Sequence, residues 1–425
     1  MAAIEAQRRA ALTLSAEWSQ AGRIPNLASV PTKTSGTLAT PCMRRPSWCS
    51  LGGMTNSPRT ITAPEGGVPL APVTTDCITA IRQYGTAVEH PLLLDHATFT
   101  VGSGSSCDVS IASEYVSSRH CLLERRGSRL RVHDQTSRNG TFRRGRRETI
   151  FDVEAGDTFK VATTALLAVN EIMRTNRVVL AELLGYDSEA ILDDALIAAI
   201  QDGPLLILGP DGGRLPQLTR AIHETSPRRD HPLVEVPMVP TSREEQKHLV
   251  ASTRRGTLVV TVRGQPMDNA FFDLVMDPDA LIRLVVVAPS LEAAQTMRLH
   301  ALTRMTQILV RPLRERRNDV GRLFDNLFFE KRLTERFANL TLENQAALRD
   351  YAWPRNLDEL HETAAWMSTI IREGSVRKAA VVLEVPRTTF QYWLERVNLS
   401  LPLIRQYGPW DLSATVRLPD GKGRR

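Results

Sequence analysis

Residues 205–236 read LLILGPDGGRLPQLTRAIHETSPRRDHPLVEV. A short apolar run is followed by a glycine-rich turn, a helical segment and a second apolar run. Two further runs, GTLVVTV at 256–262 and IRLVVVA at 282–288, come later, with helical segments between them. Strands that are apolar along their whole length and alternate with helices are typical of parallel sheets covered by helices. Residues 173–335 are therefore predicted to form an α/β domain.

The residues before this domain, 76–172, follow a different pattern. Short apolar or alternating runs are separated by Gly, Ser and Asn, and they read ATFTV, DVSI, CLLE, LRVH, TFKVA and ALLAV. This spacing predicts a small all-β sandwich. Residues 1–75 are rich in Ser, Thr, Pro and Gly and are predicted to be a disordered tail. A targeting segment, or a true start at Met54, is an alternative explanation for part of this tail.

The residues after the α/β domain are predicted to be helical. They divide into a helical segment at 336–372, a pair of helices at 373–400 and a flexible tail at 401–425. The fold class is thus multidomain: an all-β sandwich, an α/β parallel sheet with helices after it, and an all-α end.

The composition of the 425 residues limits the function classes. The chain is 42% hydrophobic with a formal net charge of +6, which is compatible with nucleic acid binding without requiring it. Aromatic residues make up 5%, which argues against a base-stacking sheet. The five cysteines form no CxxC pair, and no apolar run has the length of a membrane-spanning helix. We expect a reduced, cytoplasmic protein that uses no metal or cofactor and does not bind membranes.

The sandwich carries a set of short motifs in order: GS at 102–103, VSSRH at 116–120 and DQTSRNGT at 134–141. Together they resemble the forkhead-associated (FHA) domain, which reads phosphothreonine peptides. The resemblance implies that loop hydroxyl, amide and guanidinium groups bind phosphate, and that His120 braces the loops. The implied phosphopeptide residues are Ser103, Ser117, Ser118, Arg119, Arg138 and Asn139. One departure is Ser103, where the family has Arg. Arginines elsewhere on the sandwich either compensate for it or form a solvated face: Arg119, Arg125, Arg126, Arg143, Arg144, Arg146 and Arg147.

Residues 180–400 resemble the AAA+ domain of sigma-54-dependent transcriptional activators. The resemblance rests on five motifs that keep their order, among them the opening stretch above, PLRERRNDV at 312–320 and YAWPRNLDEL at 351–360. It implies a nucleotide-binding sheet with a helical lid at 336–372. The family loop GAFTGA, which grips the sigma factor, is absent from the sequence.

The residues that handle ATP in that family are replaced here. Leu215 stands at the P-loop lysine, which normally reaches the terminal phosphates. Thr261 and Val262 replace the Asp-Glu pair, and Asp358 stands where the lid has Arg. We therefore expect a catalytically inactive body and no enzyme activity. The degenerate nucleotide site comprises Gly209, Gly212, Arg214, Leu215, Thr261, Val262, Arg304 and Asp358.

Two apolar stripes with helical spacing lie near the C-terminus. Val376, Ala379, Ala380 and Leu383 form the first stripe, and Phe390, Trp393, Leu394 and Val397 form the second. Two short helices joined by a tight turn indicate a helix-turn-helix, similar to the Fis-type domain that closes sigma-54 activators. A plain helical hairpin of the lid is the alternative. The predicted DNA contacts are Arg377, Lys378, Arg387, Thr388, Gln391, Tyr392 and Arg396.

These features favour a DNA-binding transcriptional regulator that senses phosphothreonine through its sandwich and assembles as a dimer or higher oligomer. Its partners would be double-stranded DNA and a phosphothreonine protein. The alternative from another class is a phosphopeptide-binding adaptor without significant DNA binding.

Overall fold

The computed structural model describes residues 76–263, 269–295 and 304–405. The predicted N-terminal tail, and the last twenty residues of the predicted C-terminal one, lie outside these ranges. The chain forms an N-terminal β-sandwich, then an α/β region with a parallel sheet, then a helical C-terminal part. Among the helices of the described ranges, none has both the length and the hydropathy that crossing a bilayer requires.

The sandwich consists of two sheets with strand orders β2-β1-β11-β10-β7-β8 and β4-β3-β5-β6-β9. Its strands are β1 (Ile78–Gln83), β2 (Glu89–Pro91), β3 (Thr98–Gly102), β4 (Val109–Ser110), β5 (Cys121–Arg126), β6 (Arg129–Asp134), β7 (Thr141–Arg143), β8 (Arg146–Arg147), β9 (Ile150–Val153), β10 (Thr158–Val161) and β11 (Thr164–Asn170). The six predicted runs correspond to β3, β4, β5, β6, β10 and β11. The other five strands are short or carry charges, and therefore lack a clear apolar pattern.

Strand β11 leads without a linker into the first helix, because its last residue, Asn170, caps that helix by accepting from the Met173 amide at 2.9 Å. The helices are α1 (Glu171–Leu184), α2 (Glu189–Ile200), α3 (Leu215–Thr225), α4 (Arg243–Ser252), α5 (Asn269–Val275), α6 (Leu291–Ala294), α7 (Asp319–Glu330), α8 (Leu342–Asp350), α9 (Asn356–Glu373), α10 (Val376–Val382) and α11 (Arg387–Val397). Short 3₁₀ turns lie at Pro278–Ala280, Leu313–Glu315 and Phe337–Asn339.

The α/β sheet has the strand order β13-β14-β15-β12-β16, and all four pairings are parallel. Its strands are β12 (Leu205–Leu208), β13 (Leu233–Val236), β14 (Thr257–Thr261), β15 (Arg283–Ala288) and β16 (Thr306–Leu309). The three central strands are buried almost throughout, as expected for a parallel sheet with helices on its faces.

A buried charge cluster attaches the sandwich to α1 and α2. Asp193 of α2 is fully buried and accepts from Arg82 of β1 at 3.1 Å and from Arg177 of α1 at 2.6 Å. Glu189 pairs with the same two arginines. The second carboxylate oxygen of Asp193 accepts from the Gly85 amide at 2.8 Å. These bonds satisfy charges that would otherwise be costly to bury.

Candidate functional site

Three loops meet at one end of the sandwich and contain the predicted phosphopeptide residues. The amides of Ser103 and Gly104 donate to the carbonyls of Ser117 and Ser118 at 3.0 and 3.1 Å. Gly102 must be glycine here, since a Cβ would lie 2.2 Å from the Ser118 carbonyl oxygen. The β3–β4 and β4–β5 loops are therefore held together by their backbones.

His120 braces this end from below, as the resemblance implies. Its ring is fully buried, Nδ1 accepts from the Ser117 amide at 3.2 Å, and Nε2 donates to the Gly140 carbonyl at 3.1 Å. Burial lowers the pKa of His120, which favours the neutral ring that this pair of bonds requires. One side chain thus links the β4–β5 loop to the β6–β7 loop.

Asp134 shapes the β6–β7 loop. It accepts from the Ser137 hydroxyl at 2.5 Å, the Ser137 amide at 3.0 Å and the Thr141 hydroxyl at 2.7 Å. Burial alone would raise the pKa of Asp134, but these hydrogen bonds outweigh it and hold the pKa below the usual value. Asp134, Ser137 and Thr141 therefore fix the shape of the loop, and the loop exposes Arg138 and Asn139 to solvent.

The predicted phosphopeptide residues come together, but they are not equally free to bind. Ser118, Arg119, Arg138 and Asn139 are exposed, whereas the Ser103 hydroxyl donates to the Val116 carbonyl of the neighbouring β4–β5 loop at 2.9 Å. The Ser117 hydroxyl accepts from the Arg138 amide at 3.2 Å and retains its proton for a ligand. The Asn139 amide donates to the Tyr115 carbonyl at 2.7 Å, with one N–H and the side-chain oxygen left over.

The arginines considered as substitutes for the missing one fall into two groups. Arg125 and Arg126 lie at the far end of β5: the first donates to the Ile78 carbonyl and covers the Phe99 ring, and the second pairs with Glu124. They cannot reach the loops. The second group is made up of Arg119 on the β4–β5 loop and of Arg143, Arg144, Arg146 and Arg147 on the β7–β8 hairpin. Of these hairpin arginines, Arg147 reaches the loops, where it donates to the Ser137 carbonyl at 3.2 Å.

The second predicted site, the glycine turn of residues 209–214, is covered by the start of α9. The Asp358 amide donates to the Gly212 carbonyl at 3.1 Å, and the Asn356 side chain donates to the Asp211 carbonyl at 2.8 Å. A Cβ at Gly212 would lie 2.1 Å from the Arg355 carbonyl oxygen. The turn and α9 are in direct backbone contact.

Arg214 and Asp358 meet inside this contact. The Arg214 Nε lies 3.5 Å from Asp358 Oδ1, and its Nη1 lies 2.9 Å from the ring nitrogens of His361. His361 in turn lies 3.2 Å from Glu182 of α1. Asp358, which the sequence predicts to lie where phosphates would bind, thus contacts Arg214 of the glycine turn.

The remaining side chains of the predicted nucleotide site lie apart from the Arg214–Asp358 contact. The Leu215 side chain folds back against Gly209, and Val262 is buried with its amide bonded to the Val287 carbonyl at 2.8 Å. Thr261 is half-buried at the end of β14, and Arg304 is exposed just before β16. Sequence reasoning missed Asn356 and His361; the former lies in the quoted YAWPRNLDEL motif, while nothing local marks the latter.

Helices α10 and α11 pack against α9 through the two predicted stripes. Phe390, Trp393, Leu394 and Val397 are all buried, and Trp366 of α9 lies 4.7 and 5.0 Å from the Phe390 and Trp393 rings. All seven predicted DNA contacts are exposed: Arg377, Lys378, Arg387, Thr388, Gln391, Tyr392 and Arg396.

Arg396 differs from the other predicted DNA contacts. Its guanidinium donates to Glu359 of α9 at 2.7 Å, and Glu359 is itself buried and accepts from the Tyr351 hydroxyl and the Arg355 amide. This pair attaches α11 to α9. Glu384, in the turn between α10 and α11, takes the left-handed conformation with φ of 53°, which strains its backbone.

Comparison with known proteins identifies the sandwich. A family model for the FHA domain matches residues 99–162, and this part of the chain is an FHA domain. A search of curated proteins gives no match.

Several solved structures are similar to parts of the chain. NtrX from Brucella abortus in complex with ATP is 16% identical with a TM-score of 0.35, covering 49% of this chain and 67% of that one. The FHA domain of CT664 from Chlamydia trachomatis is 23% identical with a TM-score of 0.20, covering 21% and 95%. EmbR from Mycobacterium tuberculosis, solved with a low-affinity phosphopeptide, is 19% identical with a TM-score of 0.20, covering 22% and 24%.

Replacing Gly212 with Ala tests the contact between the glycine turn and α9. Gly212 has a φ of +74°, so the variant combines backbone strain with a clash against Arg355. We expect a loss of roughly 2 kcal/mol or more in the free energy of unfolding, measured by urea denaturation. Gly374→Ala is the matched control, because its φ is +70° but nothing lies within 4 Å. Equal losses in both variants would show that the contact is not tight.

Proposed function

We propose that this protein is a DNA-binding bacterial transcriptional regulator on the plan of a sigma-54 activator. Its FHA domain reads phosphothreonine peptides, and its AAA+-like body is catalytically inactive and does not remodel the sigma-54 holoenzyme. The protein works in the cytoplasm without a cofactor. The observation that carries the proposal is the two-sided nature of α11, which buries one face and exposes Arg387, Thr388 and Gln391 near its N-terminus.

The exposed face of α11 suits the major groove. A recognition helix contacts base edges with residues near its N-terminal end, where Arg387, Thr388 and Gln391 lie. Arg pairs well with guanine and Gln with adenine, while Thr388 and Tyr392 suit phosphates or a thymine methyl group. Arg377 and Lys378, exposed on α10, suit backbone phosphates. Arg396 is predicted from the sequence to contact DNA. Because it pairs with Glu359, its main role would be to hold α11 against α9, with a smaller contribution to DNA binding.

One helix pair reads too few bases to select a site. A dimer that pairs through the lid would present two such units to half-sites about one turn of DNA apart. The operator would then have two-fold symmetry.

Two single substitutions separate base reading from phosphate binding. Arg387→Ala should weaken binding to the specific site by about 1–3 kcal/mol and leave non-specific binding nearly unchanged. Lys378→Ala should weaken binding to every sequence and flatten its salt dependence, because one phosphate contact is lost. Fluorescence anisotropy with labelled duplexes over a salt series measures both effects.

A truncation provides the outcome that would contradict this assignment. If removal of residues 373–425 leaves DNA affinity unchanged, α10 and α11 are not the DNA-binding element. The alternative, a phosphopeptide adaptor without significant DNA binding, would then be favoured. That alternative draws support from the Glu359–Arg396 pair and from the acidic Glu384, which reduce the positive charge available around α11.

In this proposal, phosphopeptide binding depends on Asn139 and is weakened because Ser103 stands where the family has Arg. Asn139→Ala should abolish binding of phosphothreonine peptides, since it removes both a ligand contact and the bond to Tyr115. Ser103→Arg should tighten binding, because it adds a charge-assisted donor to a dianionic group. Titration of the full-length protein with a phosphothreonine peptide library measures both. If neither the unmodified protein nor the Ser103→Arg variant binds phosphothreonine peptides, the FHA domain acts only as a protein-docking module.

The proposed catalytic inactivity is supported by the residues at the positions that would handle ATP. Leu215, Thr261 and Val262 supply neither the lysine nor the acids of an ATPase, and Arg214 is engaged by Asp358 and His361. Purified protein should show no ATP turnover above background with Mg²⁺ at any protein concentration. A turnover of about one per second that disappears in Arg214→Ala would contradict the proposal.

A further inference from the structure

An open groove with an apolar floor lies on the helical C-terminal part. It runs between the C-terminal half of α7 and residues 333–336, and its volume is about 160 Å³. Phe329 of α7 is 80% exposed, which makes it the most exposed large apolar side chain in the part of the chain that the structure describes. Leu333 lies half-buried on the facing wall. Helix α7 thus ends with an aromatic ring that no described residue covers.

The groove suits an apolar side chain better than a charged ligand. Two of the polar side chains in its walls are engaged by neighbours: Asp325 accepts from the Phe337 amide at 2.6 Å, and Asn326 donates to the Tyr186 hydroxyl at 2.9 Å. An apolar cavity of about 150 Å³ is large enough to hold a benzene ring. The groove beside Phe329 therefore has room for one aromatic ring.

The chain leaves the described part of the structure next to this groove. Leu340 and Ile404 form an antiparallel bridge, in which the Arg405 amide donates to the Asn339 carbonyl at 2.9 Å. The Asn339 side chain in turn accepts from the amide of Arg336, a residue of the groove wall, at 2.7 Å. One residue thus connects Arg405 to the groove.

The direction of the bridge leads the following residues toward the groove. Because the pairing is antiparallel, a regular continuation would place Trp410, the sixth residue after Ile404, level with Thr334, the sixth before Leu340. The 3₁₀ turn at Phe337–Asn339 lies on this path and shortens it. Trp410 is five residues beyond Arg405, a span of roughly 17 Å at about 3.3 Å per residue. That reach is sufficient to cross the groove.

Of the two aromatic residues after Arg405, Trp410 is the one at the right distance. Tyr407 would fall level with Phe337, which is already buried, with the Arg349 guanidinium 5.0 Å from its ring centroid. A tether of a few residues raises the effective concentration of the group at its end to the order of millimolar. An apolar contact of modest affinity is therefore sufficient to keep the Trp410 ring in place.

We infer that residues 406–412, QYGPWDL, fold back onto α7 and that the Trp410 ring occupies the groove against Phe329 and Leu333. This contact does not depend on the proposed reading of DNA or of phosphopeptides. It is an attachment within one chain, made by a segment that follows the last helix.

The docked segment continues an attachment that begins directly after α11. Asn344 of α8 accepts from the Ser400 amide at 2.8 Å and donates to the Leu403 carbonyl at 3.2 Å. Extending this strap to α7 fastens the end of α11 to a helix that packs on the parallel sheet. Helix α11 is then held by the strap as well as by the Arg396–Glu359 pair.

Photo-crosslinking of the full-length protein tests the contact directly. The photoreactive residue p-benzoylphenylalanine replaces Trp410, the dilute protein is irradiated, and mass spectrometry of the digest identifies the attached residues. The measurement is repeated with Phe329→Ser added. The matched control is Met238→Ser, which removes another exposed apolar side chain from the α/β region.

We expect the main product to join position 410 to residues 325–336 of the same chain. Phe329→Ser should lower its yield at least about fivefold, because the apolar area that docking covers is largely lost, whereas Met238→Ser should leave the yield unchanged.

Hydrogen exchange gives a second measurement that needs no photoreactive group. In Trp410→Ser, the amides of residues 325–336 should exchange faster than in the unmodified protein, because the covering ring is lost. Leu418→Ser, a change farther along the same segment, should leave that exchange unchanged.

Three outcomes would overturn the inference. Crosslinks from position 410 to residues outside 325–336 would place the ring elsewhere. A product that joins only two separate chains would show that the groove is an interface between copies. Equal exchange in Trp410→Ser and the unmodified protein would show that the ring does not cover α7.

Discussion

The approach of the glycine turn to the start of α9 positions the whole C-terminal half. Gly212 has no room for a side chain beside the Arg355 carbonyl, and Asn356 bridges the turn and the strand-to-helix segment at Leu313. Helix α9 is thereby held against the parallel sheet. The same helix provides Glu359 and Trp366, which fix α11. Because only glycine fits at position 212, the glycine turn can approach α9 closely and hold it in place. The position of α9 in turn determines where the exposed face of α11 lies.

The sandwich is attached to α1 and α2, at the start of the α/β region, by a buried charge cluster. Asp193 lies among Arg82 and Arg177, and its oxygens also reach the Gly85 amide. Removing one partner from such a cluster leaves an uncompensated buried charge, which costs several kcal/mol. Strand β11 also runs directly into α1 through the Asn170 cap. The FHA domain is therefore an integral part of the α/β region rather than a module on a flexible linker.

Much of the architecture could be predicted because its determinants are local. Apolar runs such as those of β12, β14 and β15 indicate strands that are buried on both faces of a sheet. The apolar stripe of α11 is buried throughout, and the first stripe is buried at Ala379 and Ala380 and half-buried at Val376 and Leu383. Strand β1 was missed because Arg82 interrupts its apolar pattern. The distant Asp193 and Glu189 pair with that arginine and make it compatible with a buried strand.

The FHA motif residues and the alternation of element types were readable from the sequence alone, since each depends on residue type and near spacing. The tertiary structure decided which of those residues are free to act. It bonded the Ser103 hydroxyl to the Val116 carbonyl of the neighbouring loop, engaged Arg214 with Asp358 and His361, and tied Arg396 to Glu359. It also left Arg119 and Arg138 exposed on the phosphate-facing loops. Whether a side chain is free to bind a ligand depends on partners that are distant in the sequence. The spacing of residues along the chain does not reveal those partners.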